Sequence, residues 1–321
     1  MAESQNLQIP KPKLLIPAIL LLILLIFLAT PLQAQNAHCP KTSQEWALFL
    51  TGPQSIHVPI IFIHGISSGF EKWDKTANTI SGGQVYAMRF QNDVTITHNY
   101  RGKAPSVWVW NVSYYVPQIL EESLHGNLTL YATRLEKIVK EICCITSSNQ
   151  VVFVAHSMGG LVAKKYVTLH PQNYQHVAAF LAVGTPHQGV PFSLPLVGQL
   201  DDLHEGSRFL TTLDQEWESL LKTHPFKWGV IGGISPSIPT PSINERTTDA
   251  GGPGFVQIKS AIPLGEWKQA VSQLGVPLLN TPHFIFCGAA RAKHDDLLEA
   301  PMTFEGIFWA LRVSDSKGLF K

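Results

Sequence analysis

The chain has 321 residues and a mass of 35.5 kDa; 45% of its residues are hydrophobic and 15% are charged. This composition excludes an intrinsically disordered chain, which lacks the apolar residues that a core needs. The 24 basic and 23 acidic residues leave a net charge of +1. Such a balance gives no support to nucleic-acid binding, because that function normally uses a strongly basic face.

The first 34 residues have the layout of an export signal. Two lysines precede an apolar run over residues 14–29, and a small residue, Ala34, follows it. We therefore expect an exported protein that is cleaved after Ala34, with residues 35–321 as the functional domain. The alternative is an uncleaved membrane anchor over residues 14–30, since about 17 apolar residues are the lower limit for spanning a bilayer.

Short apolar strands alternate with helices along the rest of the chain. Continuous apolar runs are typical of strands buried on both faces, and apolar residues at helical spacing indicate amphipathic helices. In chain order, the predicted strands are residues 58–63, 84–90, 106–112, 151–155, 177–183, 227–231 and 283–287, and the predicted helices are residues 128–145 and 160–170. This alternation predicts an α/β fold with a mostly parallel central sheet flanked by helices. Residues 190–226 form a long insertion with two amphipathic stretches, and residues 234–254 are interpreted as a loop.

The residues that indicate chemistry begin with the sequence AHSMGG at positions 155–160, which follows a predicted strand and opens a helix. A serine at such a sharp strand-to-helix turn has its hydroxyl exposed at the edge of the sheet. The turn is tight, so small residues are needed two positions before and after Ser157, and Ala155 and Gly159 meet that need. The alternative is a serine that only caps an ordinary helix.

A serine nucleophile also needs donors for the oxygen that gains negative charge. The sequence His64-Gly65-Ile66 follows the first predicted strand, and we expect the backbone N–H of Ile66 to be one donor. The N–H of Met158, directly after the nucleophile, is the second. His64 is interpreted as structural, because it precedes Ser157 in the chain.

Together these segments resemble the lipases and esterases of the α/β-hydrolase superfamily. Residues 155–160 resemble small bacterial triacylglycerol lipases, which share the alanine, and GTPHQG at positions 184–189 is similar to larger lipases and to deacylases of the GPI-processing type. The resemblance covers about residues 59–311. It implies an α/β-hydrolase fold, a Ser–acid–His order of the catalytic residues and a lid at about residues 190–226. It implies neither a cofactor nor a metal ion.

The same resemblance assigns the remaining catalytic residues. Asp249 lies in a segment similar to the Asp-Gly-x-Val-x-x-x-Ser-Ala arrangement of lipases, with an insertion. Glu245 is the alternative acid, with Asp214 well behind it, and an ordinary turn role for Asp249 also stays open. His294 follows the last predicted strand and precedes a closing helix, as the base does in the family. His283 is its rival, but lies at the start of that strand.

These residues predict hydrolysis of lipid esters through an acyl group bound to the serine. We expect the enzyme to be a monomer that contacts membrane surfaces. Phe70, Phe192 and Leu194 are the expected acyl-binding residues, although they would equally fit an ordinary core. A short-chain esterase, a thioesterase or an acyltransferase would use the same catalytic residues. A non-catalytic lipid-binding protein is expected to lack at least one of them. Asp295 and Asp296 are interpreted as a solvated acidic pair and not as a cation site.

Overall fold

The structure is a computed structural model that describes residues 38–117, 122, 126–191, 198–224, 227–250 and 256–313. Contacts divide the chain into residues 1–39 and residues 40–321, and only the second unit is described below. The predicted export signal, Phe192 and Leu194 lie outside the described residues.

A nine-stranded sheet forms the centre of the described unit. Its strands are β1 (Ile60–Ile63), β2 (Tyr86–Phe90), β3 (Ile96–His98), β4 (Val109–Ser113), β5 (Val151–His156), β6 (Val177–Val183), β7 (Lys227–Gly233), β8 (Leu278–Leu279) and β9 (Phe286–Ala290). Their order across the sheet is β3-β2-β4-β1-β5-β6-β7-β9-β8. The two edge strands pair antiparallel and the other seven are parallel, which confirms the predicted mostly parallel sheet.

Helices connect these strands. They are α1 (Ser43–Thr51), α2 (Asp74–Ser81), α3 (Leu128–Thr146), α4 (Met158–Leu169), α5 (Gln199–Leu203), α6 (Arg208–Thr223), α7 (Ile258–Ala261), α8 (Trp267–Ser272) and α9 (Pro301–Leu311). Their starts are encoded locally: Asn127 caps α3 by accepting the N–H of Leu130 at 2.9 Å, and Pro301 occupies the first turn of α9. Among the described helices, none has both the length and the hydropathy that crossing a bilayer would require.

The buried strands present alternate side chains to two helical layers. Phe62 packs on Trp73 with ring centroids 5.0 Å apart, on the face that also carries α9. The neighbouring Ile61 and Ile63 belong instead to the main apolar core, which contains the buried residues of α3 and α4. Burial on both faces explains why these strands are continuous apolar runs without polar alternation.

The predicted lid-like insertion contains two helices among its described residues. The longer one, α6, packs against α4: Lys164 forms an ion pair with Asp214 at 2.6 Å, and its ammonium lies 5.5 Å from the ring of Trp217. Trp217 is itself buried. The shorter helix, α5, carries Leu203 to the cleft described below.

The structure differs from the predicted sheet at three strands. Strands β3 and β8 are additional to the predicted ones: they have only three and two residues, too few for a recognisable pattern. The last parallel strand begins at Phe286 and not at His283. Thr281 bonds through its hydroxyl to both the N–H and the carbonyl of Phe284, at 3.2 and 3.1 Å, so His283 lies in a turn before the strand.

Candidate active site

Ser157 stands between the end of β5 and the start of α4, as predicted from the sequence around it. Its backbone has φ 55° and ψ −132°, a region that non-glycine residues rarely adopt and that costs about 1–3 kcal/mol. The N–H of Ser157 donates to the carbonyl of Val183 in β6 at 2.9 Å, which holds the turn to the neighbouring strand. The conformation therefore persists because buried parallel strands surround it.

The turn is packed tightly against the end of β1. A side-chain carbon on Gly159 would collide with the carbonyl oxygen of His64, and one on Gly65 would lie 2.8 Å from Cβ of Ser157. Both positions therefore need glycine because another backbone approaches closely. The predicted requirement for a small residue two positions after Ser157 thus has a direct physical cause.

The structure brings the predicted acid and base together. Nδ1 of His294 lies 2.6 Å from Oδ2 of Asp249, and the Asp249 side chain is fully buried. Because a carboxylate only accepts hydrogen bonds, Nδ1 carries the proton and donates it, which leaves Nε2 able to accept one. Burial raises the pKa of Asp249 above its usual value, and the hydrogen bond from His294 opposes that rise.

The position of Asp249 depends on a contact that closes the loop after β7. Thr248 and Gln257 form an antiparallel bridge, and the N–H of Asp249 faces the carbonyl of Val256 at 3.4 Å. The insertion noted in the sequence lies within this closed segment, and its residues 251–255 are outside the described residues.

The rival residues lie away from the contact between Asp249 and His294. Glu245 is exposed, and Asp214 pairs with Lys164 on α4. His283 lies 3.0 Å from Glu266, in the turn before β9. The structure therefore groups only Asp249 with His294 among the candidate acids and bases considered.

His64 is fully buried, and its ring stabilises the fold through hydrogen bonds and stacking. Its Nδ1 donates to the carbonyl of Gly65 at 2.7 Å, so its Nε2 accepts from the hydroxyl of Ser113 at 3.0 Å. The ring stacks on Tyr114, whose hydroxyl donates to the carbonyl of His64 at 2.9 Å. Burial lowers the pKa of His64 to about 4, so the ring is neutral near pH 7.

His156 is a neighbour of the site that the sequence reasoning missed. Its Nε2–H donates to the backbone carbonyl of His294 at 3.0 Å, and the centroids of the two rings are 4.5 Å apart. Burial holds the pKa of His156 well below its usual value. The only sequence signal was its place directly before Ser157, and that place does not reveal the contact.

Ser157 and His294 line one cleft of about 290 Å³. Ile66, an expected oxyanion donor, lines it too, whereas Met158 is fully buried behind the turn. The apolar part of its wall is formed by Ile66, Pro186, Val190, Leu203 and Val256. Phe70 is not among the described residues that line it; the Arg89 guanidinium lies over its ring at 5.7 Å. The cleft thus places the hydroxyl of Ser157 and the imidazole of His294 beside an apolar wall.

Asp295, predicted to be a solvated acid, also lines this cleft and pairs with Lys72 at 2.8 Å. Lys72 belongs to a short 3₁₀ turn, Phe70–Trp73, which follows the loop that carries Ile66. The cleft therefore contains an ion pair next to His294.

A family model described as "PGAP1-like alpha/beta domain" matches residues 54–228, which are just over half of the chain. The matched segment includes Ser157 and ends at the start of β7. No curated protein matches the sequence. The family match and the chain's topology confirm the resemblance to α/β hydrolases.

Two solved structures of one lipase, with TM-scores of 0.51 and 0.50, support the fold. The mature form of lipase BlEst2 from Bacillus licheniformis has a TM-score of 0.51 and 14% identity, over 82% of this chain and 94% of that one. Its propeptide form has a TM-score of 0.50 and 15% identity, over 80% of this chain and 50% of that one. The lin2722 gene product of Listeria innocua has a TM-score of 0.49 and 15% identity, over 83% and 96% of the two chains. At these identities the likeness to BlEst2 concerns the fold alone.

We expect the buried neutral His64 to make stability depend on pH. Its folded pKa of about 4 lies below the unfolded value of 6.5, so the unfolded chain binds more protons between these values. The contribution of His64 to the free energy of unfolding is then fully present above pH 6.5. It falls by about 3 kcal/mol as the pH drops toward 4.

Denaturant unfolding of the wild type and of His64→Gln at pH 5 and pH 7 measures this effect. The variant is less stable at pH 7 but shows a smaller loss between the two pH values. His57→Gln, at an exposed position, is the matched control and keeps the wild-type pH dependence. An equal loss in His64→Gln and the wild type would contradict the assignment.

Proposed function

Because the chain belongs to the family of PGAP1-like α/β domains, we propose that it is a serine hydrolase that cleaves carboxylic esters, and lipid esters in particular. One observation carries the proposal: Ser157, on a strained turn, shares a cleft with His294, which is hydrogen-bonded to the buried Asp249. A nucleophile, a base and a group that orients the base are the parts that acyl transfer requires.

In the proposed reaction, Nε2 of His294 takes the proton of the Ser157 hydroxyl as its oxygen attacks the ester carbonyl. The N–H groups of Ile66 and Met158 stabilise the negative charge on the carbonyl oxygen. Asp249 holds His294 in the Nδ1–H tautomer and stabilises its positive form. His294 then protonates the leaving alcohol, and a water molecule repeats the sequence and releases the acid.

The apolar wall of the cleft supports an acyl chain as the bound part of the substrate. Val190, Leu203 and Val256 place aliphatic groups beside the serine, and burying a methylene group contributes about 0.8 kcal/mol. A short-chain esterase, a thioesterase and an acyltransferase remain alternatives on the same residues. A binding protein without activity is less favoured, since Ser157, Asp249 and His294 are all present.

We expect Ser157→Ala to reduce the turnover of chromogenic esters by about 10⁶-fold, because the nucleophile is lost. The substitution leaves the midpoint of unfolding close to that of the wild type. Activity of residues 35–321 is measured on esters of short to long acyl chains. The exposed Ser272→Ala is the control and retains full activity.

Wild-type activity that rises with chain length supports the lipid-ester proposal, whereas activity on short chains alone identifies an esterase. Equal activity of the wild type and Ser157→Ala would exclude the proposed nucleophile.

The acid and the base are tested by paired substitutions. Asp249→Asn is expected to lower turnover by about 10⁴-fold, because an amide at this position no longer selects the required tautomer of His294. Glu245→Gln is its control and keeps wild-type turnover. His294→Ala abolishes turnover, and His283→Ala does not. If Glu245→Gln lost more turnover than Asp249→Asn, Glu245 would be the acid. If His283→Ala lost more turnover than His294→Ala, His283 would be the base.

We also propose that the protein is exported and acts at a lipid surface as a monomer. The layout of residues 1–34 supports export, and the apolar cleft fits a lipid substrate. N-terminal sequencing of the exported protein tests this: a new terminus after Ala34 indicates cleavage, an intact terminus in the membrane fraction indicates an anchor, and retention inside the cell contradicts export.

A further inference from the structure

We propose that Lys72 forms an anion-binding subsite in the cleft, so that the preferred ester carries a phosphate or carboxylate group close to the scissile bond. This inference rests on the proposed function, because it assumes that an ester reacts at Ser157. It goes further by naming a charge on the substrate.

The subsite has a defined place beside the proposed catalytic residues. Lys72 and Asp295 line the same cleft as Ser157 and His294. Nζ of Lys72 lies 2.8 Å from Oδ2 of Asp295, the residue directly after His294. Of the described residues that line the cleft, Lys72 alone has an ammonium or guanidinium group. A negative group of a bound ester would therefore find its complementary charge at this position.

The bond between Lys72 and Asp295 is one that a ligand can replace. Their side chains are 31% and 64% exposed, and ion pairs of this kind contribute only about 0–1 kcal/mol. A phosphate or carboxylate that enters beside the apolar wall is less hydrated there, and its hydrogen bond to an ammonium is charge-assisted. The carboxylate of Asp295 thus pairs with the ammonium of Lys72 until the anionic group of a substrate replaces it.

A second ion pair on the same helical segment provides a matched comparison. Nζ of Lys75 lies 3.1 Å from Oε1 of Glu299, with side chains 80% and 52% exposed. This pair also joins the segment after β1 to the segment after His294, but neither residue lines the cleft. Substitution of Lys75 removes a similar surface pair without changing the charge inside the cleft.

The experiment compares three soluble esters with the same short acyl chain: an acyl glycerol, an acyl glycerate and an acyl glycerol phosphate. Acid release is followed in a pH-stat, and the ratio of kcat/KM for each anionic ester to that for the neutral ester is measured. Lys72→Gln is expected to lower this ratio about tenfold, as the loss of one charge-assisted hydrogen bond implies. Asp295→Asn is expected to raise it, because the competing carboxylate is removed. Lys75→Gln keeps the wild-type ratio.

The two anionic esters distinguish phosphate from carboxylate as the preferred group. If Lys72→Gln and Asp295→Asn change the turnover of all three esters by the same factor, the pair only holds the segment after His294 and the subsite proposal is wrong. Wild-type hydrolysis of the neutral ester in that case leaves the proposed function intact. If the wild type hydrolyses neither these three esters nor the chromogenic esters of longer acyl chains, the proposed function fails, and the subsite proposal fails with it.

Discussion

The site depends on the close approach of two adjacent strand ends. Strands β1 and β5 run in parallel with Ile63 opposite Ala155, so the loop after one strand meets the turn after the other. Gly65 is in contact distance of Ser157 there, and no larger residue fits. The strained backbone of Ser157 is maintained by this packing and by the carbonyl of Val183, since neighbouring buried strands leave it no room to relax.

Burial also determines where positive charge can appear near Ser157. His64 and His156 have lowered pKa values because their rings are buried, and both rings donate to backbone carbonyls as neutral groups. His156 supports the backbone of His294 without adding a charge beside it. Among the described residues that line the cleft, positive charge is therefore confined to Lys72 and to His294 when it carries a second proton.

The sequence predicted the central strands well because their burial on both faces requires continuous apolar runs, and β6 has its predicted bounds. The edge strands β3 and β8 have only three and two residues, too few for a recognisable pattern, and each pairs with a strand that is adjacent to it in the chain. The strand-to-helix turn at Ser157 could be predicted from a local motif, and Asp249 and His294, which the structure brings into contact, were proposed from the chain order of the resemblance. The contacts of His156 with His294 and of Lys72 with Asp295 join distant segments, so no local pattern reveals them.

The bridge between Thr248 and Gln257 has a consequence for how this chain can diversify. It closes the loop at its base, next to Asp249, and so holds the backbone that carries this carboxylate. The entropic cost of closing a loop grows by only about 0.6 kcal/mol for each doubling of its length. A change in the number of residues between Asp249 and Val256 would therefore cost little and would leave the hydrogen bond between Asp249 and His294 in place.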